Sequence, residues 1–412
     1  MIKQSELAAV VQSQQEQQQE KGVGLERDLL HQLPTDLPNH ALIISGIRRC
    51  GKSTLLSQWM KKIDFEGFFL NFDTPKLYNF ELTDFELLDE MIVQSRKKSL
   101  FFDEIQVIDG WELYVRQKLD QGYKVAITGS NASLLSKELG TKLTGRHINK
   151  ELFPFSFSEF LRYHEAIPDA ESLLRYMTIG GFPEYIKTEN PDILAVLIDD
   201  ILYRDIAVRY NIRDVKSLKR LLLFLAANNG NLVTATKLTQ TLGIKSPATI
   251  LDYFSYFEQS YLLQLMPKFS YSYRVQLVNP RKIYFVDTGL INVVDVSFSH
   301  DFGRKLENVI FWELRRQNKE IYYYNENGYE CDFVVCNNKI PEQLIQVCYE
   351  LNKDNSTREE RGLLDAMNFF KLDKGTIITL NQQDTILHHE KKIEVIPAYR
   401  YLSQQYNEAM KH

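Results

Sequence analysis

The chain has 412 residues, enough for two or three domains, and its 44% apolar and 25% charged content is that of ordinary globular protein. A formal net charge of −5 excludes a whole-molecule electrostatic grip on nucleic acid, though not a local basic face. The four cysteines (Cys50, Cys331, Cys336, Cys348) lack zinc-finger spacing, no apolar run approaches membrane-spanning length, and the N-terminus is polar, so the expectation is a cytoplasmic protein with reduced thiols and neither membrane anchor nor secretory signal.

Residues 1–24 hold a Gln-rich tract at 12–20 behind Leu7, Val10 and Val11, which reads as an amphipathic helix or as a disordered tail. From 25 to 152, strands alternate with helices. Strands are predicted at 41–45, 67–72, 99–102, 124–128 and 146–151, an alternation that requires crossover connections and a parallel sheet covered on both faces. The first strand breaks into Gly46-Ile47-Arg48-Arg49-Cys50-Gly51-Lys52-Ser53-Thr54 before helical periodicity resumes, which is the form of a phosphate-binding loop. Gly46 and Gly51 let successive backbone N–H groups point at phosphates, and the following helix adds its N-terminal partial charge. Lys52 would reach the outer phosphates and Ser53 would hold magnesium. The third strand ends in Asp103-Glu104, a Walker B form, with Asp103 serving the magnesium and Glu104 acting as general base toward water. The fourth ends in Gly129-Ser130-Asn131, where Ser130 or Asn131 either senses the terminal phosphate or caps the next helix.

Residues 153–215 read as helices, punctuated by Gly180-Gly181-Phe182-Pro183. Between 216 and 300 the pattern changes to three short helices, at 218–227, at 233–242 and from Ser246-Pro247 onward, with strands at 261–266 and 282–286. Short helices on tight turns followed by a two-stranded wing make a winged-helix pattern, with Lys245, Ser246 and Thr249 near the start of the third helix. Its positive charge is thin, so a structural or protein-contacting module stands level with a DNA reader. Residues 301–412 return to α/β character: a helix at 306–316, strands at 321–324, 329–336 and 343–349, a helix at 358–370 and a strand at 375–380. Asp332 lies inside an otherwise apolar strand, where an unpaired charge is costly, and therefore requires a metal, a partner or the sheet edge.

From the phosphate loop onward the chain resembles a prokaryotic architecture in which an AAA-like ATPase domain of the ASCE P-loop class is joined to the C-terminal region DUF4143. The likeness is carried by Gly46-Ile-Arg-Arg-Cys-Gly-Lys-Ser53, Leu100-Phe-Phe-Asp-Glu-Ile-Gln106, Thr128-Gly-Ser-Asn131, Leu143-Thr-Gly-Arg146, Leu152-Phe-Pro-Phe-Ser-Phe-Ser-Glu-Phe160, Gly180-Gly-Phe-Pro-Glu184 and Phe285-Val-Asp-Thr-Gly-Leu290. It implies ATP hydrolysis with Mg²⁺ and an α/β fold: a P-loop NTPase parallel sheet, then a winged-helix module (216–300), then a restriction-endonuclease-like, PD-(D/E)XK-type domain (301–412), with the helical connector at 153–215. It also implies an arginine near the terminal phosphate, in cis or from a second copy of the chain, for which Arg146 and Arg204 are the candidates. Either reads equally well as half of a structural ion pair.

In active members of the nuclease fold a helix glutamate, a strand aspartate and a Glu-x-Lys on the next strand gather metal and water. Glu307 and Asp332 fit the first two places, and Gln346 and Cys348 occupy the third. An amide oxygen still coordinates magnesium weakly, but a thiol does not replace an ammonium, so a vestigial or binding-only domain is expected. The resulting expectation is an ATPase that couples slow hydrolysis to movement of its C-terminal modules, with protein or DNA as their partner. The alternatives are an ATP-regulated DNA-processing nuclease and a nucleotide-dependent interaction switch with little turnover.

Overall fold

Among the described residues, nine α-helices and β-strands, besides short 3-10 turns, precede Pro154. They are α1 (Gln4–Glu20), β1 (Ala41–Ser45), α2 (Lys52–Lys62), β2 (Gly67–Asn71), α3 (Phe85–Ser95), β3 (Ser99–Asp103), α4 (Trp111–Asp120), β4 (Lys124–Gly129) and β5 (His147–Glu151). The computed structural model describes residues 2–409 except 21, 64–65, 133–142, 144, 295–300, 318 and 327, so Thr144 of the Leu143–Arg146 motif lies outside the described residues. Two units are present, Met1–Phe153 with Gln259–Tyr261, and Pro154–Glu258 with Leu262–His412.

In the first unit the strands run in the order β2-β3-β4-β1-β5, every neighbouring pair parallel. All residues of β1 and β3 are buried, which is why these strands read as unbroken apolar runs and not as alternations. Because β4 lies between β1 and β3, the C-terminal tips of three strands meet on one edge: the phosphate loop after Ser45, Asp103, and Gly129 leading to Ser130. The Gln-rich segment forms helix α1, with Leu7, Val10 and Val11 buried. Its glutamines have a task. Edge strand β2 exposes unpaired backbone groups, and Gln14 satisfies two of them, accepting from Asn71 N–H (2.7 Å) and donating to Asn71 O (3.0 Å).

The second unit opens with helices α5 (Phe157–His164), α6 (Ala170–Ile179), α7 (Pro183–Thr188) and α8 (Asp192–Asp200), the last continuing as a π-helical stretch, Ile201–Val208. Then come α9 (Val215–Ala227), β6 (Leu232–Val233), α10 (Ala235–Leu242), α11 (Pro247–Gln259), β7 (Leu263–Met266), α12 (Tyr273–Val278), β8 (Arg281–Phe285) and α13 (Thr288–Val294). Strands β6, β8 and β7 form a three-stranded antiparallel sheet in that order. Ser246 starts α11 as expected, its hydroxyl accepting from Thr249 N–H at 3.2 Å.

The remaining elements are α14 (Phe302–Arg316), β9 (Glu320–Glu326), β10 (Tyr329–Asn337), β11 (Ile340–Val347), α15 (Ser356–Phe370), β12 (Lys374–Thr379), β13 (Asp384–His388), β14 (Lys391–Pro397) and α16 (Ala398–Ala409). The strands make a mixed sheet, β13-β14-β12-β11-β10-β9. Sequence patterning missed β13 and β14. No residue of β13 is fully buried and its Leu387 is exposed, so it lacks the alternation that marks a half-buried strand, whereas β14 does alternate, with Ile393 and Val395 buried, and was readable in principle. This sheet and the smaller one are joined within the unit. Phe269 N–H donates to Tyr323 O (2.7 Å), Tyr323 N–H to Pro267 O (3.2 Å), and the rings of Tyr284 and Phe311 stack at 4.2 Å.

Candidate nucleotide site and acidic cluster

The loop after β1 is shaped by two close constraints. A side chain on Gly46 would place its Cβ 2.0 Å from Leu152 O, so only glycine lets the loop pass the end of β5. Gly51, at φ +103°, turns the chain into α2. Ile47 and Cys50 are buried, Arg49 is exposed, Thr54 lies half-buried on α2, and the Cys50 thiol points at Leu152 O (3.3 Å). Burial pushes that thiol above its ordinary pKa, which makes it a packing group and not a nucleophile. Arg48 pairs with Asp73 at 3.2 Å.

Lys52 and the two acids at the tip of β3 form one buried set. Lys52 Nζ lies 3.3 Å from Glu104 Oε1 and donates to Ile47 O at 3.2 Å. Burial opposes the Lys52 charge, yet Glu104 beside it holds the ammonium above the usual lysine value. Burial likewise pushes the Glu104 carboxyl up, but Lys52 and a 2.5 Å bond from Gln106 Nε2 outweigh it and keep the group low, hence ionised. Asp103 is raised by burial and by the neighbouring Glu104, and it accepts from the Ser53 and Thr128 hydroxyls. Asn71 Nδ2 donates to its other oxygen at 3.0 Å.

A hydroxyl and a carboxylate in direct contact beside a lysine suit Mg²⁺, which takes one or two protein oxygens and completes its shell with phosphates and water. Ser53 and Asp103 fit that ion. Ser130 and Asn131 are buried at the same sheet edge, 5% and 2% exposed.

The arginine candidates fare differently. Arg146 precedes β5, and β5 runs parallel to β1 with His147 opposite Ala41, so Arg146 lies at the sheet edge opposite the phosphate loop. It pairs with Asp120 at 2.7 Å. A role for Arg146 on the phosphates of its own chain is thereby corrected, because a parallel strand carries its first residue away from the C-terminal tips. Arg204 is exposed on the π-helical stretch of the second unit.

Sequence reasoning missed the residues that hold this site in shape. Arg27, 2% exposed, donates to Cys50 O (2.8 Å) and Phe153 O (2.7 Å), tying the loop to the end of β5. Gln58 Oε1 in turn accepts from Arg27 N–H. Thr128 serves both acids, since its hydroxyl donates to Asp103 and accepts from Glu104 N–H (3.1 Å). Asn71 and Thr128 carried a readable signal, a polar residue at the tip of a buried parallel strand; Arg27 carried none. Replacing Arg27 with Met leaves two buried carbonyls without their charged donor. The expected cost is about 1.5–3 kcal/mol of stability, measurable by urea denaturation, with weaker nucleotide binding by calorimetry and partial recovery in Arg27→Lys.

In the second unit, Asp332 lies on an interior strand, so the sheet edge is not its solution. It has a partner. Lys282 Nζ from β8 lies 2.8 Å from Asp332 Oδ1, 3.0 Å from Glu307 Oε1 and 2.7 Å from Glu330 Oε1. The β9–β10 register shifts between Cys331 and Val334, a bulge of the kind that re-aims a side chain. Burial would pull the Lys282 ammonium down, but Asp332 and Glu307 hold it well above the usual lysine value. Glu307 is pushed up to about 7, chiefly by burial. Gln346 stands beside Asp332 with its amide spent elsewhere: Oε1 accepts from Asp332 N–H (3.2 Å) and Nε2 donates to Glu359 (2.6 Å). Cys348 is buried, and among the described residues no group of three or more His, Cys, Asp or Glu is arranged to hold a metal ion. The Lys282, Glu330 and Glu359 contributions were not legible in sequence.

Residues 38–161 match the family model of an AAA domain, and residues 170–300 match a domain of unknown function (DUF8612), where the motifs had pointed to a DUF4143 region. An uncharacterized protein of Methanocaldococcus jannaschii is 36% identical over 397 residues, covering 89% of this chain and 88% of that protein. One from Haemophilus influenzae is 33% identical over 354 residues, covering 80% and 87%. Among solved structures, AMPPCP-bound DnaA from Aquifex aeolicus (12% identity, 56% of this chain and 85% of that one, TM-score 0.28) and the Thermotoga maritima RuvB Holliday junction branch migration motor (17%, 64% and 88%, TM-score 0.29) are too distant to carry an argument. No helix among the described residues is long and apolar enough to cross a membrane. The all-parallel sheet, the loop geometry and the two relatives that match most of the chain lead to one conclusion: the chain belongs to the family of these archaeal and bacterial proteins and carries an AAA domain of the P-loop ATPase class.

Proposed function

We propose that the protein hydrolyses ATP with Mg²⁺ at the edge formed by β1, β3 and β4. The observation that carries this reading is the set Lys52, Ser53, Asp103 and Glu104, with Lys52 and Asp103 buried and Ser53 and Glu104 half-buried, in which an ionised base sits within 3.3 Å of the phosphate-loop lysine. Ser53 and Asp103 would hold Mg²⁺, which supplies charge neutralisation on the phosphoryl oxygens. Loop N–H groups and the N-terminus of α2 bind phosphate, and Lys52 compensates its charge. Glu104 takes the proton of the attacking water, oriented by the Gln106 amide on its carboxylate. Lys52 and Glu104 neutralise each other at 3.3 Å, so a phosphate reaching Lys52 competes with Glu104 for the ammonium and leaves the base available. The direct test is phosphate release from ATP, expected with Mg²⁺, absent in EDTA, and lowered by about 10²-fold or more in Asp103→Asn. Release that ignores Mg²⁺ would remove the proposal.

The order α9-β6-α10-α11-β7-α12-β8 supports a winged-helix reading of 216–300, and α14 followed by β9, β10, β11, α15 and β12 supports a likeness of 301–412 to the PD-(D/E)XK fold. We assign the protein to the cytoplasm, consistent with four free, buried thiols. Turnover is coupled to movement of the second unit, and hydrogen exchange in residues 154–412 should differ between ATP-bound and nucleotide-free protein. Identical exchange would separate the ATPase from any such movement.

A further inference from the structure

In metal-dependent nucleases of the fold that 301–412 resembles, a helix glutamate and a strand aspartate converge on a cation. Glu307 and Asp332 do converge here, and the cation between them belongs to the chain itself. Lys282 Nζ contacts Glu307 at 3.0 Å, Asp332 at 2.8 Å and Glu330 at 2.7 Å. An ammonium has three donors and no acceptor, so three carboxylates saturate it. Further donors hold the two carboxylates in place: Asp332 Oδ2 accepts from Val347 N–H (2.9 Å), and Glu307 Oε1 also accepts from Tyr284 Oη (2.6 Å). The side chains of Lys282, Glu307 and Asp332 are only 4%, 12% and 8% exposed.

A divalent ion bound by the same oxygens would stand at contact distance from a like-charged ammonium in a poorly screened place, which is strongly unfavourable. A lysine serving a metal-bound water would, for its part, have to leave both carboxylates to the metal. Lys282 takes both. We propose that Lys282 is the permanent internal cation of this cluster, so that β8 closes the nuclease-like centre from within the second unit and no divalent metal binds there. This inference stands independently of the ATPase reading, because none of its residues belongs to the first unit.

The test uses the full chain without nucleotide and Mn²⁺ as the probe, with free Mn²⁺ read by electron paramagnetic resonance. Wild type, Asp332→Asn and Glu307→Gln should take up the same amount of Mn²⁺. Lys282→Met, which removes the ammonium at similar volume, should take up one additional Mn²⁺ per chain, and the double variant Lys282→Met with Asp332→Asn should lose it. Mn²⁺ should also raise the melting temperature of Lys282→Met by several degrees and leave that of Lys282→Arg, which keeps a cation in place, unmoved. Wild-type uptake that disappears in Asp332→Asn or Glu307→Gln would overturn the proposal, as would a folded Lys282→Met that gains none. If Lys282→Met fails to fold even with Mn²⁺, the comparison of wild type with the two carboxylate variants decides alone.

Discussion

Replacing Glu104 with Gln is expected to lower phosphate release by about 10²–10⁴-fold, the contribution of a well-placed general base, while ATP remains bound. Affinity should hold or improve. Glu104 lies 3.3 Å from Lys52, and the neutral amide of the variant no longer competes with phosphate for that ammonium. Lys52→Ala separates the two roles, because it removes a charge-assisted contact and should weaken ATP binding by about 1.5–3 kcal/mol, roughly 10–100-fold. Calorimetry with Mg²⁺ reads the affinities and a phosphate assay the turnover. Unchanged affinity in Lys52→Ala would refute the assignment of the loop, and normal turnover in Glu104→Gln would move the base to another residue.

The largest loss of stability away from the nucleotide site is expected at the contact between Gly180-Gly181 and Asp287. Asp287 Oδ2 accepts from Gly181 N–H at 2.6 Å and Oδ1 from Gly289 N–H at 2.9 Å. A Cβ on Gly181 would lie 2.3 Å from Phe155 O, which is backbone and has little freedom to retreat. Gly181→Ala therefore forces the turn apart, and Asp287→Ala strands buried donors that each cost about 1–3 kcal/mol. Either variant should lose about 3 kcal/mol or more, seen as an earlier urea midpoint.

A pH dependence accompanies this contact. Burial, against the backbone bonds it accepts, pushes Asp287 from 3.8 up to about 6. A carboxyl raised in the folded state keeps a proton that the unfolded chain releases. The stability it contributes is present below about pH 4 and lost as the pH rises toward about 6. Wild type should accordingly lose up to about 3 kcal/mol relative to Asp287→Asn between those limits. A stability difference independent of pH across that window would show that Asp287 stays ionised throughout.

The two motifs that meet at this contact were each visible in the sequence, more than a hundred residues apart, and nothing in either announced the other. The same division runs through the molecule. The loop at 46–53, the buried strand ending in Asp103-Glu104 and the order of strands and helices up to residue 152 were legible, because each rests on neighbours in the chain: glycines that permit a turn, apolar runs that mark strands buried on both faces, periodicity that marks a helix. The position of Arg146 was also readable in principle, since the first residue of a parallel strand lies away from the tips where the loop sits.

Only the tertiary structure brought Arg27 under the phosphate loop, set Asn71 and Thr128 on either side of Asp103, and turned Gln14 onto the edge of β2. It alone placed Lys282, from one sheet, among the carboxylates of β10 in another and of helix α14. A buried charge declares in sequence that it needs a counter-charge. Which residue supplies it depends on how separate elements pack, and local pattern does not encode that.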